Sequence, residues 1–366
     1  MKVFNPFKAI RADAWFSPTH SYIFEMSFEL LKKRRSDIYE ELLPLKELIS
    51  KYVIVPDFKG DINKGSGAHY YSPVLKNGSK SKKIGGYYRN RLGKFSRTAR
   101  TMCEENITLA AIYYEAGNER MFAECLGRAL HFVMDICCSV HTTNLISIPH
   151  RKNPHHMYEI FSRANMERFT NDDIKDLSAF EEKYIPMPIG DMFGKLAEKS
   201  SEFYSDMVSL DRERFMLCLS EMLPTSFAAS YVLIVKIFDF VKNYNGLKIN
   251  DSFYLMSNGC YICRKRKKAY ASNHRSSAAV FTLEEMNNKL FLRSNSEFLV
   301  SEGKFGFSFS KAGEQDAVRI TKTDKGYLIS TEYSVGERYI TVDGKNIKAK
   351  FFDPLRCEFY WQIKIV

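Results

Sequence analysis

Apolar positions recur at helical spacing from residue 20 to about residue 245. In 20-HSYIFEMSFELLKKR-34, Ile23, Phe24, Phe28, Leu30 and Leu31 form one stripe. Segments 104–118, 121–136, 191–208 and 223–243 repeat the pattern, and each predicts a helix. Residues 52–99 break it; they are rich in Gly, Ser, Lys and Tyr and are expected to be loop. No apolar run is expected to reach membrane-spanning length. The longest, 227-FAASYVLIVKIFDFV-241, carries Lys236 and Asp239 and is expected to be a buried amphipathic helix.

The period changes after the polar linker 243-NYNGLKIND-251. Short alternating runs follow, separated by Gly, Asn and Ser, and these predict strands. Leu255-Met256-Ser257, Leu292-Arg293-Ser294 and Leu328-Ile329-Ser330 recur at nearly equal spacing. Each precedes an apolar pair (Tyr261-Ile262, Phe298-Leu299, Tyr339-Ile340), and each unit closes on an apolar strand near Phe281, Val318-Ile320 and Trp361-Ile363. Three such units predict a β-trefoil; a β-sandwich with accidental repeats is the other choice. The expectation is a mainly α domain over 1–246 and an all-β domain over 252–366.

Composition adds a bound. The chain has 366 residues, 45% hydrophobic and 27% charged, enough for two folded domains. The net charge of +11 suits anionic partners. Between Asp61 and Glu104 there are ten Lys and Arg and no acid, including 80-KSKK-83; this is either a solvated loop or a basic rim for anionic lipid. Eight scattered cysteines suggest no disulfide framework, and Cys260 and Cys263 are a lone CxxC expected on a strand. The first fourteen residues lack the apolar run of an export signal, although Ala12-Asp13-Ala14 resembles a cleavage site before Trp15.

The candidate chemistry lies in 129-ALHFVMDICCSVH-141. Four residues apart on a helix, His131 and Asp135 share a face, as do His155 and Glu159. A single His on an apolar helix is usually a hydrogen-bonded core residue. Two His-x-x-x-carboxylate pairs close in sequence are harder to explain that way, because burying unpaired charge is costly. Imidazoles and carboxylates without thiolates suit an open catalytic zinc site.

On these residues the chain resembles the bacterial zinc-dependent phospholipases C, the group of the clostridial alpha-toxin, over about residues 15–245. That family carries a His, an Asp four later and a His six after that, here His131, Asp135 and His141. A His-x-x-x-Glu follows, matched by His155 and Glu159. Upstream come a loop Asp with a His twelve later, matched by Asp57 and His69, and a His on the first helix, matched by His20. The family's mature chain begins with a Trp whose amine and carbonyl bind a third zinc; Trp15 is the candidate, behind fourteen residues. The short Trp15–His20 interval looks more like the related single-strand nucleases, while Glu159 and the Asp57–His69 gap match the phospholipases. Phe58 keeps an aromatic of the head-group pocket, but Ser66 stands where some relatives place Phe.

The resemblance implies two to three zinc ions: one held by His69, His131 and Asp135, a second by His141, His155 and Glu159, and a third near His20 with Asp135 bridging and Trp15 joining. It implies Asp57 as the group that orients or deprotonates the attacking water. The expected reaction is phospholipid phosphodiester hydrolysis by a secreted, toxin-like monomer at a membrane surface. A zinc nuclease or nucleotidase on the same scaffold is the alternative, and a non-catalytic protein keeping zinc for folding a third reading. No nucleic-acid partner is expected. The β domain is expected to target a cell surface through a glycan or protein receptor, or else only to stabilise the catalytic domain.

Overall fold

A computed structural model describes residues 17–58, 68–72, 83–84, 86–89, 95–143, 153–302, 306–313, 316–331 and 338–366. The helices are α1 (Ser17–Arg34), α2 (Ser36–Leu42), α3 (Lys46–Ile54), α4 (Ala99–Glu115), α5 (Glu119–Ile136), α6 (Ser139–Thr142), α7 (Pro154–Asn165), α8 (Leu177–Tyr184), α9 (Ile189–Ser201), α10 (Tyr204–Ser209) and α11 (Arg212–Lys242). The stripe on α1 is buried as expected. The expected helix over 191–208 is two, α9 and α10. Ser201 Oγ bonds the Glu198 carbonyl at 2.8 Å, a side-chain competitor that helps end α9. The segment expected to be loop also differs. Helix α3 enters it, and the antiparallel strands β1 (Lys83–Ile84), β2 (Tyr87–Arg89) and β3 (Phe95–Ser96) lie within it.

One expectation about length needs correcting. Helix α11 is 31 residues and apolar enough to cross a membrane, but 89% of its apolar window is buried inside the protein. It extends well upstream of the run at 227–241, because Pro224 is tolerated inside it. The helix is therefore accounted for as a core element.

The chain divides into two compact units: residues 1–82, 97–103 and 126–239, and residues 83–96, 104–125 and 240–366. In the first, the later part of α5 is central, with Leu126, Ala129, Leu130, Phe132, Val133 and Met134 almost fully buried. Gly127 sets how closely α3 approaches. A Cβ there would lie 2.6 Å from the Ile49 carbonyl oxygen and 2.8 Å from Tyr52 Cβ. Glycine costs helix stability, and here it lets two backbones meet.

The second unit carries the strands β4 (Ser252–Ser257), β5 (Cys260–Lys265), β6 (Lys268–Ser272), β7 (Phe281–Met286), β8 (Lys289–Ser294), β9 (Glu297–Ser301), β10 (Phe307–Ser310), β11 (Val318–Thr323), β12 (Gly326–Thr331), β13 (Arg338–Asp343), β14 (Asn346–Lys350) and β15 (Gln362–Ile365). They form an all-β, barrel-like sheet. Strand β4 pairs β7, β7 pairs β8, β8 pairs β11 and β11 pairs β12. A Tyr327–Trp361 bridge leads from β12 toward β15, and β15 pairs β4, closing the ring. Trp361 is fully buried, and its Nε1 donates to the Ile340 carbonyl at 2.9 Å. The three Leu-x-Ser triplets fall on β4, β8 and β12.

Helical residues 104–125 belong to this unit. Gly117, at φ 70°, ends α4, and Asn118 Oδ1 caps α5 by accepting from the Met121 amide at 3.0 Å. Buried Glu105 pairs with Arg319 of β11, and Thr108 Oγ1 accepts from the Lys322 amide at 3.0 Å. Asn118 Nδ2 donates to Glu285 Oε1 at 2.6 Å. Tyr87 of β2 packs with Leu328, Tyr339, Phe352 and Phe359.

Candidate metal centre

Helix α5 ends at Ile136, so His131 and Asp135 share its last turns while His141 stands on the separate short helix α6. Cys137 and Cys138 fill the turn between them; both are buried, with Cys138 at the N-cap of α6. They pack the core from that turn. All eight cysteines are free thiols, and burial pushes Cys137 up to about 12. The Asn153 side chain caps α7 by accepting from the His156 amide, with Pro154 at the first helical position. His155 and Glu159 thus project from one face of α7. Helix α1 brings His20. The single 3₁₀ turn after α3 brings Asp57.

These residues converge. His69 Nδ1 lies 2.8 Å from Asp135 Oδ2 and 3.0 Å from His131 Nε2, and His131 Nε2 lies 3.2 Å from Asp135 Oδ2. Asp135 turns its other oxygen, Oδ1, to His20 Nε2 at 3.5 Å. Asp57 closes the group, with Oδ1 at 3.6 Å from His131 Nε2 and Oδ2 at 3.8 Å from His20 Nε2. On the other side, Glu159 Oε1 lies 2.9 Å from His155 Nε2 and 3.8 Å from His141 Nε2. The His69 and His141 rings are 6.5 Å apart, so the two clusters are neighbours.

The donor sets fit zinc. Tetrahedral ligands at about 2.0–2.1 Å from zinc stand about 3.3 Å from one another, close to the His69–His131–Asp135 spacings. Three groups place one donor atom from each residue within 4.8 Å of the others: His20, His131 and Asp135; Asp57, His69 and His131; and His141, His155 and Glu159. The last is the set expected from the resemblance. The first two divide the remaining residues differently, because His131 stands between His20 and His69. Buried polar atoms supply an independent sign. His20 Nε2, His69 Nε2, Asp135 Oδ1, both ring nitrogens of His141 and Glu159 Oε2 have no hydrogen-bond partner among the described residues. Each such atom costs about 1–3 kcal/mol unless something satisfies it.

Electrostatics favour the ligating forms. Burial and then the neighbouring His131 lower His20 to about 4, leaving a neutral imidazole at physiological pH. Burial likewise lowers His141. Burial opposes the charge on Asp135, but His131 and His141 outweigh it and hold the carboxyl well below its usual range. Glu159 is lowered in the same way against burial, chiefly by His155.

Some contributors were not anticipated. His131 Nδ1 donates to the Val53 carbonyl at 2.8 Å, which fixes the tautomer that leaves Nε2 for a metal. This bond depends on α3 lying close to α5 at Gly127, one turn before His131. Met134 Sδ stands 3.4 Å from His20 Nδ1. The Tyr70 ring lies 5.0 Å from that of His141. A glycine inside a strongly amphipathic helix was the one available signal for the first of these. Phe58, which follows Asp57 in the chain, is half exposed. Trp15 and Ser66 lie outside the described residues, as does most of the basic 62–103 segment.

Residues 19–193 match the family model described as zinc dependent phospholipase C. The match contains His20, Asp57, His69, His131, Asp135, His141, His155 and Glu159. Among solved structures, the chain is similar to the alpha-toxin of Clostridium absonum, at 14% identity and a TM-score of 0.51, covering 97% of this chain and 100% of the toxin. It is also similar to the Clostridium perfringens alpha-toxin from avian strain SWCP, at 14% identity and a TM-score of 0.52, covering 97% and 99%. At that identity the likeness to the toxins is one of fold. No curated protein matches the sequence significantly.

Proposed function

We propose that this zinc-dependent phospholipase C hydrolyses the phosphodiester bond of phospholipids, releasing diacylglycerol and a phosphorylated head group. The observation that carries this is the pair of adjoining His/carboxylate clusters inside the matched family segment, with buried donor atoms lacking partners. The nuclease alternative is not favoured, because the matched family is that of the phospholipases.

His69, His131 and Asp135 would hold one zinc, His141, His155 and Glu159 a second, and His20 with the second oxygen of Asp135 a third, which Trp15 would join if the chain is cut before it. When bound, zinc polarises phosphoryl oxygens and acidifies a nearby water. Asp57 is the group we assign as general base, being within 3.8 Å of two ligand imidazoles while its side chain keeps some solvent contact. It accepts the water proton as oxygen attacks phosphorus. The P–O bond to glycerol breaks, and the departing oxygen takes up a proton to give diacylglycerol. The neutral His20 and the fixed tautomer of His131 keep their donor atoms aimed at the centre. We assign head-group contact to half-exposed Phe58, the residue after Asp57.

We further read residues 1–246 as the catalytic part and 252–366 as a surface-binding β-trefoil of a secreted monomer. The closed ring of β4, β7, β8, β11, β12 and β15 supports the trefoil reading. So do the hairpins β5–β6, β9–β10 and β13–β14, one per repeat.

Asp57→Asn tests the mechanism. It should keep zinc content within error of the parent and lower phosphatidylcholine hydrolysis by about 10²–10⁴-fold, as expected for a lost general base. Parental turnover in this variant would remove Asp57 from the mechanism.

A further inference from the structure

Hairpin β5–β6 carries 264-RKRKK-268 across its turn. Arg264 is used structurally: it pairs with Glu297, its guanidinium lies 4.8 Å from the Phe309 ring centre, and its Nε donates to the Arg266 carbonyl at 2.9 Å. The next four are not used. Lys265, Arg266, Lys267 and Lys268 are all exposed, and none forms an ion pair among the described residues. Glu302, at the end of neighbouring β9, forms none with them either.

Two features show that this run costs the fold something. The register sets Lys265 directly opposite Lys268, a like-charge cross-strand pair that disfavours the hairpin. Arg266 sits in the left-handed region at φ 56°, where the β4–β5 turn uses Asn258 and Gly259 and the β7–β8 turn uses Asn287 and Asn288. Those residues tolerate that backbone; an arginine there is uncommon. The Arg264 bond to the Arg266 carbonyl braces this turn but does not use the Arg266 side chain, and a departure from local turn chemistry is characteristic of functional positions. The tip is also well supported: Ser308 of β10 pairs opposite Lys268, the Phe309 amide donates to the Lys267 carbonyl at 2.7 Å, and the Ala271 amide donates to the carbonyl of exposed Lys345. Four exposed cations, with no ion pair among the described residues, are thus presented from a braced platform.

We propose that the β5–β6 tip is an electrostatic docking surface for bilayers bearing anionic phospholipid. Four adjacent cations match a plane of lipid phosphates and carboxylates, and each Lys or Arg near such a surface strengthens binding about fivefold. The choice of a lipid surface over other polyanions rests on the phospholipase reading above.

The test uses the full chain and its variant Lys265→Ser, Arg266→Asn, Lys267→Ser, Lys268→Ser, in which asparagine suits the left-handed position. A second variant, Lys265→Arg, Lys267→Arg, Lys268→Arg, keeps the charge. Sedimentation is measured with vesicles of phosphatidylcholine alone and with about one third phosphatidylserine, at low and high salt. The neutral variant should lose tenfold or more of its partitioning to phosphatidylserine vesicles, unfold at the parental temperature or above, and hydrolyse monomeric short-chain phosphatidylcholine like the parent. The charge-keeping variant should bind like the parent. Unchanged partitioning of the neutral variant overturns the surface, and so does parental binding to single-stranded DNA or heparin as tight as to the vesicles. A parent that binds through this tip yet never hydrolyses phosphatidylcholine would instead count against the phospholipase reading and leave the surface standing.

Discussion

The metal centre and the β5–β6 tip both concentrate charge, and they handle it in opposite ways. At the metal centre, His20, His131, Asp135, His155 and Glu159 are essentially excluded from water. At the tip, four exposed cations form no ion pair among the described residues. Buried donors with no partner require something to satisfy them, so the first cluster specifies a ligand at close range and with defined geometry. Exposed cations cost little and specify only sign and density. The first is a site that chemistry constrains atom by atom, and the second is a surface that salt can erase.

Breaking the buried side should cost most. Asp135→Ala removes the carboxylate that faces both His20 and the His69–His131 pair. It should abolish zinc at that cluster and destabilise the metal-loaded protein by about 3–5 kcal/mol, the scale for stripping one partner from a buried charge group. Thermal unfolding with metal analysis checks both effects.

A buried pair without metal sharpens the comparison. Glu105 is 0% exposed and meets Arg319, itself mostly buried. Arg319→Met removes the guanidinium that faces buried Glu105 and should cost about 3 kcal/mol by denaturant unfolding. The double variant Glu105→Gln, Arg319→Met should recover most of that loss. The pair also predicts that deleting 252–366 gives an unstable product rather than a free-standing enzyme.

Gly127→Ala tests positioning. The added methyl group meets backbone atoms that cannot swing away, so about 1–3 kcal/mol should be lost. Because the shift moves α3, which carries Val53 and leads to Asp57, kcat should fall more than stability alone explains.

The smallest effect is at the surface. Burial would raise Glu181, but its hydrogen bonds from Arg34 and Tyr231 outweigh that and lower it. A carboxyl depressed on folding stabilises above its unfolded pKa, about 4.3, and that share is lost as pH falls below it. Glu181→Gln should therefore cost under about 1 kcal/mol at pH 7, with the difference vanishing in acid.

The two regions also differ in how far sequence alone reveals them. His131–Asp135 and His155–Glu159 were readable because helix geometry converts a spacing of four into a shared face. Strands β4, β8 and β12 were readable because each is a short, largely apolar run flanked by turn residues. What escaped depends on backbone approach. The Val53 carbonyl has no residue signature, and Gly127 explains itself only once α3 lies against it. Sharing of His131 between two groups escaped for the same reason, since sequence order says nothing of which imidazole stands in the middle. The cationic tip is a shorter run than the acid-free stretch at 62–103, and sequence does not show whether its charges find acidic partners in the fold. Helix α11 was underestimated because Pro224, normally a stop signal, lies inside it.

The most direct test of the central claim is zinc content measured on one preparation alongside phosphatidylcholine hydrolysis, before chelation, after it and after zinc is restored. The account predicts two to three zinc ions per chain, hydrolysis lost with the metal, and hydrolysis regained with zinc. Hydrolysis that persists at the full rate after every metal ion has been removed would contradict it.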